Sequence, residues 1–184
     1  MSTSQQREET PMGQIATTIV ETSSKAVAYG ERLLAGVTPA MFARFPVADG
    51  KAVATNHPCF VFGHLALYPA KFLENAGLDP APLAVPQRYT DVFSAGMECR
   101  DDADGSIYPA MEEVVAHFRK GHADLFARMQ EMDDAALLAP PAHERSRAFM
   151  PTLASLGTFY FLGHTMMHLG QVSAWRRMMG LGAA

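Results

Sequence analysis

From Thr152 to Met179 the chain runs roughly seven helical turns, largely apolar, with no proline to interrupt it. A segment of that length and pattern is a long helix with one face against a core. It also carries His164 and His168. Four residues apart on a helix, the two side chains leave one face about 40° and one turn apart. Imidazoles on such a face are costly unless their nitrogens are satisfied. Hydrogen bonds within a core would do this, and so would a shared metal ion, since neutral imidazole is the commonest metal ligand.

A third histidine bears on that choice. His64 lies in Val61-Phe-Gly-His-Leu-Ala-Leu-Tyr68, with Phe60, Val61, Leu67, Tyr68 and Phe72 beside it at helical spacing. Alone, it would be a core histidine bonded to a backbone carbonyl. Three histidines on two inward stripes of one small domain are harder to explain as packing. Three imidazoles and one open position are also what a catalytic zinc site needs.

Four helical patterns emerge along the chain: about Gln14 to Ala35, closed by Gly36; Asn56 to Asn75, with Asn56 as a cap and Gly77 as the stop; Tyr108 to Met132; and Thr152 to Met179, ending at Gly180. Thr38-Pro39 suggests a capped short turn, and Asp49-Gly50 a turn pair. The long connection from Gly77 to Ile107 has the length of a segment that carries short helices of its own. The one from Asp133 to Pro151 is shorter and contains Pro140-Pro141. Residues 1–13 are polar and are expected to be a flexible N-terminus, with one domain over 14–184.

Hydrophobic residues make up 48% of the 184 and charged ones 18%, which suits a well-buried helical domain rather than a disordered chain. A net charge of −4 without a basic run gives no footprint for nucleic acid. No apolar stretch reaches the ~18 residues of a membrane span, and no apolar leader opens the chain, so cytoplasm is the expected location. Arg176-Arg177 suits a helix C-terminus through the helix dipole. The two cysteines, Cys59 and Cys99, do not form a disulfide framework, and Cys59 is expected to be a buried, inert thiol. Twelve methionines invite a copper site. However, Met166-Met167 and Met178-Met179 are adjacent pairs that do not share a helix face, so core filling is expected instead.

Asn56 with Gly63-His64-Leu65-Ala66, then His164-x-x-x-His168-x-Gly170-Gln171 running into Trp175-Arg176-Arg177, resembles the DinB superfamily over about Gln14 to Gly180. The resemblance implies an all-α four-helix bundle, up-down-down-up, with the long connection joining helices two and three. At ~3.3 Å per residue that connection is long enough to cross the bundle. The resemblance also implies one divalent transition metal held by His64, His164 and His168. Zinc or nickel is the leading candidate; iron and manganese are compatible with the same ligands. Many relatives carry a tryptophan where this chain has Phe60 and Phe62, a difference that bears on pocket shape rather than on the ligands. The implied function is a metal-dependent enzyme acting on a small molecule, by transfer of a low-molecular-weight thiol or by hydrolysis. The alternative is a metal- or ligand-binding bundle without turnover. A homodimer is also implied.

Other side chains could serve the site. His122 lies on the apolar face of the third helix, where geometry alone would let it reach a metal, but the family pattern places no ligand there. His57 could flank the site, His117 falls at a boundary, and His143 lies in a polar loop. Gln171 is either a site residue, as a partner of His168 or a substrate contact, or a residue bonding nearby backbone. Tyr68 and Tyr160 each stand four residues from a candidate ligand. No spacing brings Glu74, Glu98, Glu112 or Glu113 to the metal, so no general base is identified.

Overall fold

The computed structural model describes residues 13–184, so the flexible segment expected over 1–13 lies outside the described residues except for Gly13. Among the described residues the protein is all-α apart from one small hairpin. α1 (Gln14–Leu33) buries Ala16, Ile19, Val20, Ala26 and Leu33, the 3.6-residue stripe expected of an amphipathic helix. A short α2 (Pro39–Phe42) follows, with Thr38 at its N-cap position and Pro39 in its first turn. Asp49 and Gly50, both at positive φ, then turn β1 (Val47–Ala48) back onto β2 (Lys51–Ala52).

The second rod is two helices, not the one expected. α3 (Pro58–Leu65) and α4 (Tyr68–Asn75) meet at Ala66-Leu67, because Pro69 in the first turn of α4 has no N–H to continue the ladder. The cap also differs from expectation. His57 occupies the N-cap of α3, and its Nδ1 accepts from the Phe60 N–H at 3.2 Å. The long connection holds a 3₁₀ turn (Ala81–Leu83) and α5 (Gln87–Phe93), the short helices its length suggested.

The third rod is α6 (Met111–Gln130). Between it and the fourth lie α7 (Asp134–Leu138) and α8 (Glu144–Phe149). α8 buries no residue, which explains why apolar periodicity does not reveal it. The last rod begins at a Thr152–Ser155 capping box and runs through α9 (Leu153–Thr158) into a widened π turn (Phe159–His164), then α10 (Thr165–Met178). The Thr165 hydroxyl donates to the Tyr160 carbonyl at 3.0 Å, satisfying an acceptor within the wide turn.

Contacts between the rods set their directions. The Ile15 N–H donates to Asp134 at 3.0 Å, and Glu31 pairs with Arg119 at 2.6 Å near the other end of α1. Phe62 packs on Phe118 with ring centroids 4.8 Å apart, and Pro69 lies against Gly121. Arg176 is buried rather than merely placed near its own helix end. Its Nη1 donates to the carbonyls of Leu33 at 2.6 Å and Ala35 at 2.5 Å, so it complements the C-terminus of α1. Trp175 is fully buried and donates its indole N–H to the Arg44 carbonyl at 2.8 Å. The methionines divide. Met129 fills the core as expected, but Met166, Met167 and Met178 are 40%, 57% and 42% exposed, so core filling does not account for them. No helix among the described residues is long and apolar enough to cross a membrane.

Candidate metal centre

His64 projects from the last turn of α3, His164 from the end of the π turn, and His168 from the first turn of α10. One ligating nitrogen from each lies within 4.8 Å of the other two. Nε2 of His164 is 3.0 Å from Nε2 of His168 and 3.3 Å from that of His64. Two nitrogens each about 2.1 Å from a tetrahedral ion stand about 3.4 Å apart, so these separations suit a shared divalent metal.

The outer nitrogens decide which way the lone pairs face. His64 Nδ1–H donates to the Phe93 carbonyl of α5 at 2.7 Å. His168 Nδ1–H donates to Gln171 Oε1 at 3.0 Å, and the Asn56 side-chain amide donates to the same oxygen at 3.0 Å. Both imidazoles therefore turn an unprotonated Nε2 inward, the tautomer a metal requires. His164 Nε2 faces both lone pairs and, with one proton, can donate to only one, while the Tyr68 hydroxyl at 3.2 Å can donate to that of His64. Its own Nδ1 is buried without a partner. A cation at the convergence point satisfies all three Nε2 atoms together.

Electrostatics keep the cluster neutral. Burial pushes the His64 pKa down to about 4, with His168 and Lys71 adding to the shift and the Phe93 carbonyl opposing it. Burial, then His168 and His64, push His164 down to about 3. His168 is lowered by burial against the Gln171 bond. Imidazoles that resist protonation are free to coordinate at neutral pH.

A family model matches residues 16–172 and describes the DinB superfamily. The chain belongs to the DinB superfamily. Among proteins of curated function, none matches it. In this DinB protein the remaining candidates separate by position. Gln171 bonds the imidazole of His168, the first of the two roles open to it. Tyr68 reaches the cluster, its hydroxyl 3.2 Å from His64 Nε2, and Tyr160 packs edge-on against Tyr68 with centroids 4.8 Å apart.

His122 is not in the cluster. It is a buried histidine whose Nδ1–H donates to the Phe118 carbonyl at 2.7 Å. His57 does not flank the site: besides capping α3 it donates from Nε2 to the Arg100 carbonyl at 2.9 Å, tying down the long connection. His117 is half-buried against Tyr89, and His143 is exposed. Cys59 is buried, and desolvation raises its thiol pKa, the inert state expected. None of Glu74, Glu98, Glu112 or Glu113 joins the histidines. Nothing in the sequence marks Phe93, whose role is played by a main-chain oxygen.

The double acceptor at Gln171 has a measurable consequence. Replacing Gln171 with alanine should weaken metal binding 10–100-fold in competition against a chelator. Gln171→Glu, which keeps an acceptor oxygen at the same reach, should recover most of that loss. An affinity within twofold of the parent for Gln171→Ala would show that the bond does not orient His168.

Proposed function

We propose that His64, His164 and His168 hold one divalent transition metal, zinc or nickel first, and that the site activates a low-molecular-weight thiol substrate for transfer. The observation that carries this is the convergence of three Nε2 atoms whose outer nitrogens are anchored in two of the three rings. A bound metal supplies Lewis acidity and lowers the pKa of a coordinated thiol or water. The chain's residues present neutral imidazoles packed among Phe60, Phe93 and Tyr68, and among the described residues no carboxylate joins the cluster. That last feature favours a thiol over hydrolysis. A thiol is deprotonated by coordination itself, whereas hydrolytic attack by water commonly draws on a general base.

We also infer that the rods form a single up-down-down-up four-helix bundle over residues 14–184. Supporting this, α1 runs antiparallel to α6 through Ile15–Asp134 and Glu31–Arg119, while Arg176 joins the C-terminal ends of α1 and α10. Phe62–Phe118 and Pro69–Gly121 advance together along the second and third rods, as parallel neighbours do.

Elemental analysis of untagged protein tests the metal reading. We expect about one equivalent of a transition metal in the parent and essentially none in His168→Ala, because a two-histidine remnant is a weak site. A metal-free parent that folds unchanged after chelation would overturn the proposal.

A further inference from the structure

We propose that Lys71 forms an anion subsite on the outer wall of the histidine site, so that the substrate is a short thiol carrying a carboxylate, its sulfur at the histidines and its carboxylate on the ammonium. This rests on the metal–thiol reading above and adds the second recognition group.

Lys71 follows Tyr68 by one turn of α4 and is half-buried. Its Nζ stands over the Tyr68 ring, 4.8 Å from the centroid. That ring is in turn 4.4 Å from the His164 ring and 5.1 Å from the His64 ring, centroid to centroid. Tyr68 thus touches both the ammonium and two rings of the imidazole cluster.

Among the described residues the ammonium has no ion-pair partner. The ion pairs among the described residues use Arg44, Arg88, Arg119 and Lys120, and none involves Lys71. Glu74, one turn further along α4, is exposed and stays outside ion-pair distance. A cation drawn partly out of water and resting on an aromatic face keeps most of its capacity to bind an anion.

The cluster strengthens the same demand. Its three ligands are neutral and no carboxylate among the described residues joins them, so a divalent ion there would keep its full charge. With Lys71 beside it, the field along Tyr68 is strongly positive and favours a ligand with two anionic ends. With both groups packed on Tyr68, a short aliphatic chain between sulfur and carboxylate would let one ligand meet both. On binding, the S–H bond would break with its proton leaving to solvent, and the sulfur would form one bond to the metal in place of a coordinated water.

The test uses cobalt(II)-loaded full-length protein and two thiols, 3-mercaptopropionate and 2-mercaptoethanol, followed by sulfur-to-cobalt absorption in the near ultraviolet. We expect the carboxylate thiol to bind the parent roughly tenfold or more tightly than the neutral one, the size of a charge-assisted hydrogen bond. Lys71→Met should abolish that preference, weakening 3-mercaptopropionate binding roughly tenfold more than 2-mercaptoethanol binding, and keep cobalt uptake near the parent level. Lys71→Arg, which keeps the cation, should retain it. Equal affinities in the parent, or a preference that survives Lys71→Met, would overturn the subsite while leaving the metal–thiol reading standing. Cobalt uptake with no spectral response to either thiol would overturn the thiol reading, and the subsite with it.

Discussion

A Gly63→Ala protein will be less stable than the parent by about 3 kcal/mol and will hold metal 10–100-fold more weakly. A Cβ at Gly63 would lie 2.4, 2.5 and 2.5 Å from three ring atoms of Phe93, far inside van der Waals contact. The ring has nowhere to go. Phe93 is fully buried, stacked on Tyr108 at 5.5 Å and held edge-on by Phe60 at 6.1 Å and Tyr89 at 5.2 Å. Overpacking of this kind costs ~1–3 kcal/mol, and several clashing atoms place it at the upper end. To make room, α5 must move away from α3, and the Phe93 carbonyl moves with it. His64 then loses the 2.7 Å bond that fixes its tautomer, so a packing change becomes a ligand change. Gly170 is the internal control. It sits between His168 and Gln171, yet a Cβ there would meet nothing within 4 Å. Gly170→Ala should therefore be neutral or more stable by up to ~1 kcal/mol through helix propensity. Urea denaturation and chelator competition on both variants provide the check, and a Gly63→Ala protein with parent-like values would refute the packing argument.

The same pair of glycines shows how much was legible beforehand. Gly63 and Gly170 both belong to the motifs that suggested the family, but only the structure separates a glycine required by a neighbouring ring from one that is not. The histidine set was legible because ligand chemistry leaves side chains at helical spacing: His164 and His168 share a face, and His64 lies on a second apolar stripe. Their partners were less so. Gln171 was visible as a polar side chain near His168, whereas the partner of His64 is a main-chain oxygen that no residue type announces. The break at Ala66-Leu67 had a signal, Pro69, which the apolar continuity of the segment overrode. Composition points to Asn56 as a cap, but its amide is committed to Gln171 and the cap falls to His57. The π turn that positions His164 has no comparable sequence signature, since i and i+5 pairing follows no hydropathy period. As a single lysine in an amphipathic helix, Lys71 carries no sequence signal of its own. Its significance comes from the tyrosine beneath it.

Acidification will destabilise the fold through His122, independently of the metal site. The imidazole is 1% exposed and packed among Phe118, Phe126 and Phe161, with centroid distances of 4.5, 5.9 and 5.8 Å. Its Nδ1–H is satisfied by Phe118, but Nε2 is buried with no partner, so a proton added there would have no acceptor. Burial therefore pushes its pKa down to about 4, only weakly opposed by the Phe118 carbonyl. The unfolded chain titrates near 6.5. Above that pH neither state carries the proton and stability is unaffected. Between about 6.5 and 4 the unfolded state alone binds it, so stability falls by about 1.4 kcal/mol per pH unit, levelling off below 4 once the folded state is protonated too. At pH 5 the loss from this one residue is about 2 kcal/mol, rising to about 3 near pH 4. His122→Leu removes the titrating group while keeping an apolar side chain of similar size. Its urea stability should fall about 2 kcal/mol less than the parent's between pH 7.5 and pH 5, with both proteins metal-free so that the three cluster histidines contribute equally to each. Identical pH slopes would mean that His122 is protonated in the folded state, and that the aromatic cage around it admits water.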